Sequence, residues 1–171
     1  MIKQLTISII CVSLMACATT TNPNLVSSGK SPENAFPMKR EASNKRTFLF
    51  SPKDMAWAAY DKQGFRVKTG PAGGGSAVCP EDGSDCRTVI GEFTVQRKGG
   101  ADCESSKYPL GTGGAPMAYC MHFHKGYAIH GAPGEPKGHY SHGCIRVKKE
   151  DARWLNKDFL NIGSNVVVGP Y

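Results

Sequence analysis

The stretch HYSHGCIRV, residues 139–147, sets a cysteine, Cys144, directly after a glycine and two residues after a histidine. Three imidazoles precede that thiol: His142 by two residues, His139 by five and His130 by fourteen. A thiol with a base in reach is a nucleophile for acyl transfer, provided the sulfur is partly ionised and accessible. His130, His139, His142 and Cys144 also have the residue types of a zinc set, although their spacing matches none of the usual fingers. The inert alternative is a lone cysteine acting as a small buried hydrophobe. His130 closes the apolar run YAIHG, a strand signal that ends in a glycine turn. An imidazole there stands at the rim of a sheet, and the loop APGEPKGHYS can return Cys144 to its side. Gly143 permits close backbone approach to a substrate. Amides of Gly143 and Cys144 that converge on one point form an oxyanion hole, worth roughly 2.7–4 kcal/mol per donor. Arg146 is a fixed cation suited to a bidentate grip on a carboxylate. His122 and His124 alternate on one strand and read as surface residues, because two histidines without a third ligand make no metal site.

Whether Cys144 is free depends on the other cysteines and on the compartment. The first residues, MIKQLTISIICVSLMAC, combine Lys3 with an apolar run from Leu5 to Met15, too short for the ~20 residues of a membrane-spanning helix. The run predicts a secretory signal over residues 1–16. Leu14-Met15-Ala16-Cys17 resembles a bacterial lipobox, which implies lipidation of Cys17 and a membrane anchor through that lipid. Ala18 in the next position points to the outer membrane. The expected location is therefore the periplasm, where disulfides are permitted. Cys11 leaves with the signal and Cys17 carries lipid, so Cys79, Cys86, Cys103, Cys120 and Cys144 remain. Four of these pair in three ways with one left over. The loop-rich stretch AVCPEDGSDCRT suggests Cys79 with Cys86, and Cys103 with Cys120 then closes the next segment. Chain-entropy reasoning gives about 2.5 and about 3.2 kcal/mol for the two loops. That pairing leaves Cys144 as the unpaired thiol.

Residues 17–46 are poor in large apolar side chains and read as a lipidated N-terminus followed by a flexible tether. The pattern shifts at Thr47, and residues 47–171 form one domain. TFLF, MAWAAY, GFRVKT, GEFTVQ, MAYCMHF, YAIHG and NVVVG are strand signals separated by glycine-rich turns. Lys125-Gly126 predicts a hairpin. KKEDARWLNKDFLNIG is the one helical segment, with Ala152, Leu155 and Phe159 at helical spacing and Gly163 as its stop. The fold class is mainly β, a sandwich or partly closed barrel with one helix after the cysteine. Lys and Arg total 21 against 14 acids, a formal charge of +7. This favours an anionic wall polymer or lipid as partner, and nucleic acid is excluded by the compartment.

His130-Gly131 followed by Ser141-His142-Gly143-Cys144 resembles the signature of the YkuD-type L,D-transpeptidases. GEFTVQRK is similar to a strand of that family, with Val89 where a proline usually follows Thr88. APMAYCMHFHKGYAIHG, EDARWL and WAAYD resemble its hairpins and its helix, so the likeness covers residues 47–169. The resemblance implies Cys144 as nucleophile and His130 as general base, then acid. The Gly131 carbonyl orients the imidazole, Gly143 and Cys144 amides bind the oxyanion, and Ser141 and His142 line the site. Tyr119 is a candidate second oxyanion donor and Arg146 a candidate substrate contact. The implied substrates are peptidoglycan stem peptides: sulfur attacks the L,D bond after diaminopimelate in a tetrapeptide, D-alanine leaves, and an amine takes the acyl group. No cofactor or metal is implied. The alternatives are an L,D-carboxypeptidase that uses water, or a non-catalytic wall-binding lipoprotein with a zinc or silent Cys/His site.

Overall fold

A computed structural model of the chain describes residues 31–111 and 114–171. The expected signal at 1–16 and the expected lipidation site, Cys17, lie outside the described residues. Within them are strands β1 (Thr47–Ser51), β2 (Ala56–Tyr60), β3 (Arg66–Gly73), β4 (Gly91–Thr94), β5 (Arg97–Lys98), β6 (Ala118–His124), β7 (Tyr127–Ala132), β8 (Ile145–Lys148) and β9 (Asn165–Val168). They form one sheet in the order β4-β9-β1-β2-β3-β8-β7-β6-β5. The sheet curls until its ends approach, with the rings of Phe93 in β4 and Phe123 in β6 packed 5.5 Å apart. The result is the mainly β, partly closed barrel with a helix after the cysteine that the sequence predicts.

Apolar alternation fixes which face of the sheet points inward. On β8, Ile145 and Val147 are fully buried while Arg146 between them faces the other way. Those two residues join Phe48, Phe50, Trp57, Met121, Phe123, Ile129 and Leu155 in the main core. The expected hairpin is present: His124 pairs with Tyr127, and Lys125 takes the left-handed φ of 46° that so tight a turn needs.

The helix departs from expectation. An α-helix, α1 (Lys149–Trp154), passes into a π-helical turn over Leu155–Phe159, and the chain is extended again at Leu160. The wider turn lets buried Asn156 donate to the carbonyls of Gly99 at 3.1 Å and Cys120 at 3.2 Å. Gly163 therefore stops nothing; it sits in the following turn. The described part of the segment expected as a tether is ordered. Residues 31–46 lie on the domain: Phe36 is buried beside Tyr60, Ala56 and Ala58, and the Tyr60 hydroxyl donates to the Pro37 carbonyl at 2.9 Å. Arg66 donates to the carbonyls of Glu33 and Phe36. One aromatic anchor and backbone hydrogen bonds order a segment whose composition alone predicts disorder. Among the described residues no helix is long and apolar enough to cross a membrane.

Candidate active site

Strands β7 and β8 run parallel and in register, with Ile129 opposite Ile145 and His130 opposite Arg146. Cys144 lies two residues before Arg146 and so shares its face; His130, across from Arg146, shares it too. Ile145 and Val147 on the other face anchor this pair of strands in the core. Cys144 and His130 thus line one cavity of about 460 Å³. The Nδ1 of His130 is 3.1 Å from the Gly131 carbonyl oxygen. A carbonyl only accepts, so Nδ1 carries the hydrogen and Nε2 is the basic nitrogen. Gly131 also makes room for the helix, since a Cβ there would meet the Lys149 Cα and the Ala152 Cβ of α1.

The sulfur is unbridged. Its weak hydrogen bond goes to the Gly126 carbonyl at 3.9 Å. Burial pushes the thiol up to about 11, opposed in part by a backbone contact with Ala128. Burial pushes His130 down to about 4, against the stabilising bond to Gly131 and with the Arg146 charge. At neutral pH both partners are therefore uncharged, which differs from the partly ionised thiol expected from sequence. Nucleophilicity has to come from proton transfer during attack, not from a standing thiolate.

The catalytic loop holds its shape through its own polar groups. Ser141 Oγ donates to the Cys144 carbonyl at 2.6 Å and accepts from the Gly143 amide at 3.2 Å. The Gly143 amide is thus occupied by a hydroxyl. Gly143 has φ 107°, and a Cβ would collide with the Tyr127 ring, so only glycine fits. His142 stacks on Tyr108 with centroids 4.1 Å apart and donates from Nε2 to Glu81 at 2.7 Å, which holds that carboxyl below its usual range. His142 and Ser141 both line the cavity.

Two of the expected residues, Arg146 and Tyr119, differ in how they relate to the cavity. Arg146 lines the cavity, but its Nη2 donates to the carbonyls of Pro136 at 3.3 Å and Gly138 at 2.8 Å, and its guanidinium lies 5.1 Å from the Tyr140 ring centre. Nη2 braces the loop, while Nε is buried without a hydrogen-bond partner among the described residues. Tyr119 has φ 58°, donates its amide to Gly100 and packs its ring on the core, so its side chain does not line the cavity.

Both disulfides form in the pairing suggested by sequence, Cys79–Cys86 and Cys103–Cys120. The candidate zinc set is dispersed. His139 accepts from the Gly74 amide at 3.3 Å and packs on Tyr171, while His142 is held by Glu81. Among the described residues the one group at metal-ligand spacing is Cys103, Cys120 and His122, whose two sulfurs are bonded to each other. His122 is buried on the cavity wall rather than at the surface, because a register break separates it from His124. Sequence reasoning also missed Arg97 and Tyr108 on that wall. Only the strand alternation of MAYCMHF offered a hint, by setting His122 and Cys120 on one face.

Comparison with known proteins agrees with this geometry. The profile of the L,D-transpeptidase catalytic domain, YkuD, matches residues 25–168. Among solved structures, an L,D-transpeptidase from Xylanimonas cellulosilytica superposes with TM-score 0.64 at 24% identity, covering 80% of this chain and 66% of that one. An L,D-transpeptidase from Mycobacterium tuberculosis gives 0.58 at 24%, covering 74% and 58%. L,D-transpeptidase 3 of the same organism, in complex with a faropenem-derived adduct, gives 0.59 at 22%, covering 74% and 60%. The chain thus spans less than two thirds of these relatives' length. No curated protein matched. With its thiol, oriented imidazole and curled sheet, the chain belongs to the YkuD family of L,D-transpeptidase catalytic domains.

Proposed function

We propose that the protein is a peptidoglycan L,D-transpeptidase that acts on tetrapeptide stems. The observation that carries this reading is an unbridged thiol and an oriented imidazole on one face of two adjacent parallel strands, lining one cavity. His130 Nε2 takes the thiol proton as Sγ adds to the carbonyl carbon of diaminopimelate. The carbonyl oxygen gains the electron pair. It draws the Cys144 amide and then the Gly143 amide, whose long bond to the Ser141 hydroxyl yields to a stronger acceptor. The intermediate collapses, the C–N bond to D-alanine breaks, and the imidazolium protonates the departing amine. An acceptor amine next attacks the thioester and gives its proton to His130. The C–S bond breaks, and the sulfur takes that proton back.

In this reading the enzyme works in the periplasm, held by lipid on Cys17 at the outer membrane. The N-terminal residue pattern supports this, and two disulfides suit an oxidising compartment. The test is incubation with disaccharide tetrapeptide and mass analysis of the products. Release of D-alanine with a cross-linked dimer, absent in Cys144→Ala, is expected. Tripeptide alone would identify water as the acceptor. No change in the muropeptide by a protein with one titratable thiol would defeat the proposal. A carbapenem should add covalently to Cys144, in keeping with the faropenem-derived adduct of the M. tuberculosis relative.

A further inference from the structure

The cavity has a second pole. Register carries a straight row of residues across four neighbouring strands: Arg97 on β5 faces His122 on β6, His122 faces Ala128 on β7, and Ala128 lies beside Cys144 at the start of β8. Residues in register share a face, so Arg97, His122 and Cys144 look into the same cavity. Three strand spacings separate the ends of the row, about 14 Å along the sheet between Cα atoms. The side chains narrow that gap.

Arg97 is exposed on a two-residue edge strand. Its Nη2 lies 3.4 Å from Nδ1 of His122. A guanidinium only donates, so this imidazole nitrogen is the acceptor. The ring is held in the neutral form by burial and by the Arg97 charge. Glu104 also lines the cavity, yet no carboxylate pairs with Arg97 among the described residues. Arg97 therefore brings to the cavity lining a fork that carries no carboxylate among the described residues and is oriented by the His122 acceptor. Arg146, nearer the thiol, has Nη2 turned back onto two loop carbonyls.

We propose that Arg97, oriented by His122, is a carboxylate-binding subsite that selects acyl-donor peptides in which the residue before diaminopimelate is joined through its side-chain carboxyl and so keeps a free α-carboxylate. This rests on the transpeptidase reading above. From the attacked diaminopimelate carbonyl to the α-carboxylate of a side-chain-linked preceding residue is a path of about two strand residues at ~3.3 Å each, inside the ~14 Å between the Cα atoms of Cys144 and Arg97. A planar fork matches a carboxylate at two points, which a lysine at 97 would not reproduce.

The experiment uses the full chain and two tetrapeptides that differ only in carboxylate or carboxamide on that residue. Wild type is expected to prefer the carboxylate about 10- to 100-fold in kcat/KM, the range of a charge-assisted hydrogen-bond pair. Arg97→Ala should bring the preference close to one. Arg97→Lys should leave it in between, and His122→Gln should weaken it while keeping an acceptor behind the fork. Equal use of both peptides by wild type, or an undiminished preference in Arg97→Ala of unchanged melting temperature, overturns the subsite and leaves the transpeptidase reading standing. Turnover of neither peptide by wild type sinks that reading and the subsite with it.

Discussion

His130 and Cys144 stand on two hydrogen-bonded parallel strands, whereas Ser105 and Tyr108, across the same cavity, belong to the segment between β5 and β6 that a disulfide closes. The first region is fixed by strand register and by Ile145 and Val147 in the core. The second has no helix or strand among its described residues, only the isolated bridge of Leu110 with Gly114. It is held by Cys103–Cys120, by Asn156 reaching to Gly99 and Cys120, and by the stack of Tyr108 on His142. The difference separates chemistry from substrate fit. Damage to the strands should act on the chemical steps, and damage to the stapled wall should act on binding.

The strongest break of that contrast is Cys144→Ala. It should lower turnover by about 10⁴-fold or more, with the melting temperature kept within a few degrees by the intact core. A large melting shift would give Cys144 a structural role and blur the two regions. Next comes Gly143→Ala, which forces a Cβ into the Tyr127 ring at a left-handed φ. It should destabilise by roughly 1–3 kcal/mol and cut the rate of Cys144 acylation, measured by intact mass against time. Wild-type kinetics in that variant would remove the argument for a strained loop.

Replacing both Cys103 and Cys120 by serine tests the opposite wall. Stability should fall by about 3 kcal/mol in denaturant melts, and KM should rise far more than kcat falls. An equal loss in kcat would mean that the wall also positions the catalytic pair. The mildest test is pH. Burial holds His130 down to about 4, so its base form survives through mildly acidic solution. The acid limb of kcat/KM should fall through about 4 rather than near the usual imidazole value of about 6.5. The thiol, pushed up to about 11, should be alkylated by iodoacetamide about tenfold faster per pH unit from about 7 to about 9. A flat alkylation rate across neutral pH would reveal a thiolate–imidazolium pair instead.

The same contrast explains what the sequence disclosed. His130, Gly131, Ser141, His142, Gly143 and Cys144 fall within fifteen residues, so their proximity needs only one return of the chain. The two disulfides were legible for the same reason, since each closes a short loop. Arg97 and His122 were not, because their meeting depends on register between distant segments, and no local pattern encodes it. Arg146 was legible as a cation near the thiol, but the loop contacts of its Nη2 were not. Its partners are carbonyls of Pro136 and Gly138, and backbone acceptors leave no mark in a sequence. Residues 31–46 defied their composition because one buried aromatic, Phe36, and hydrogen bonds from Tyr60 and Arg66 to their carbonyls hold them.

Strand β8 runs into α1 with no loop between them, and Gly131 lets that helix press directly against β7. The sulfur-bearing strand, the helix and the carbonyl that aims the imidazole are thereby welded into one body. Swaying of that body against the rest of the barrel carries donor and acceptor of the proton together. Their mutual geometry is set within that body, and the wall across the cavity touches it through the Tyr108–His142 stack.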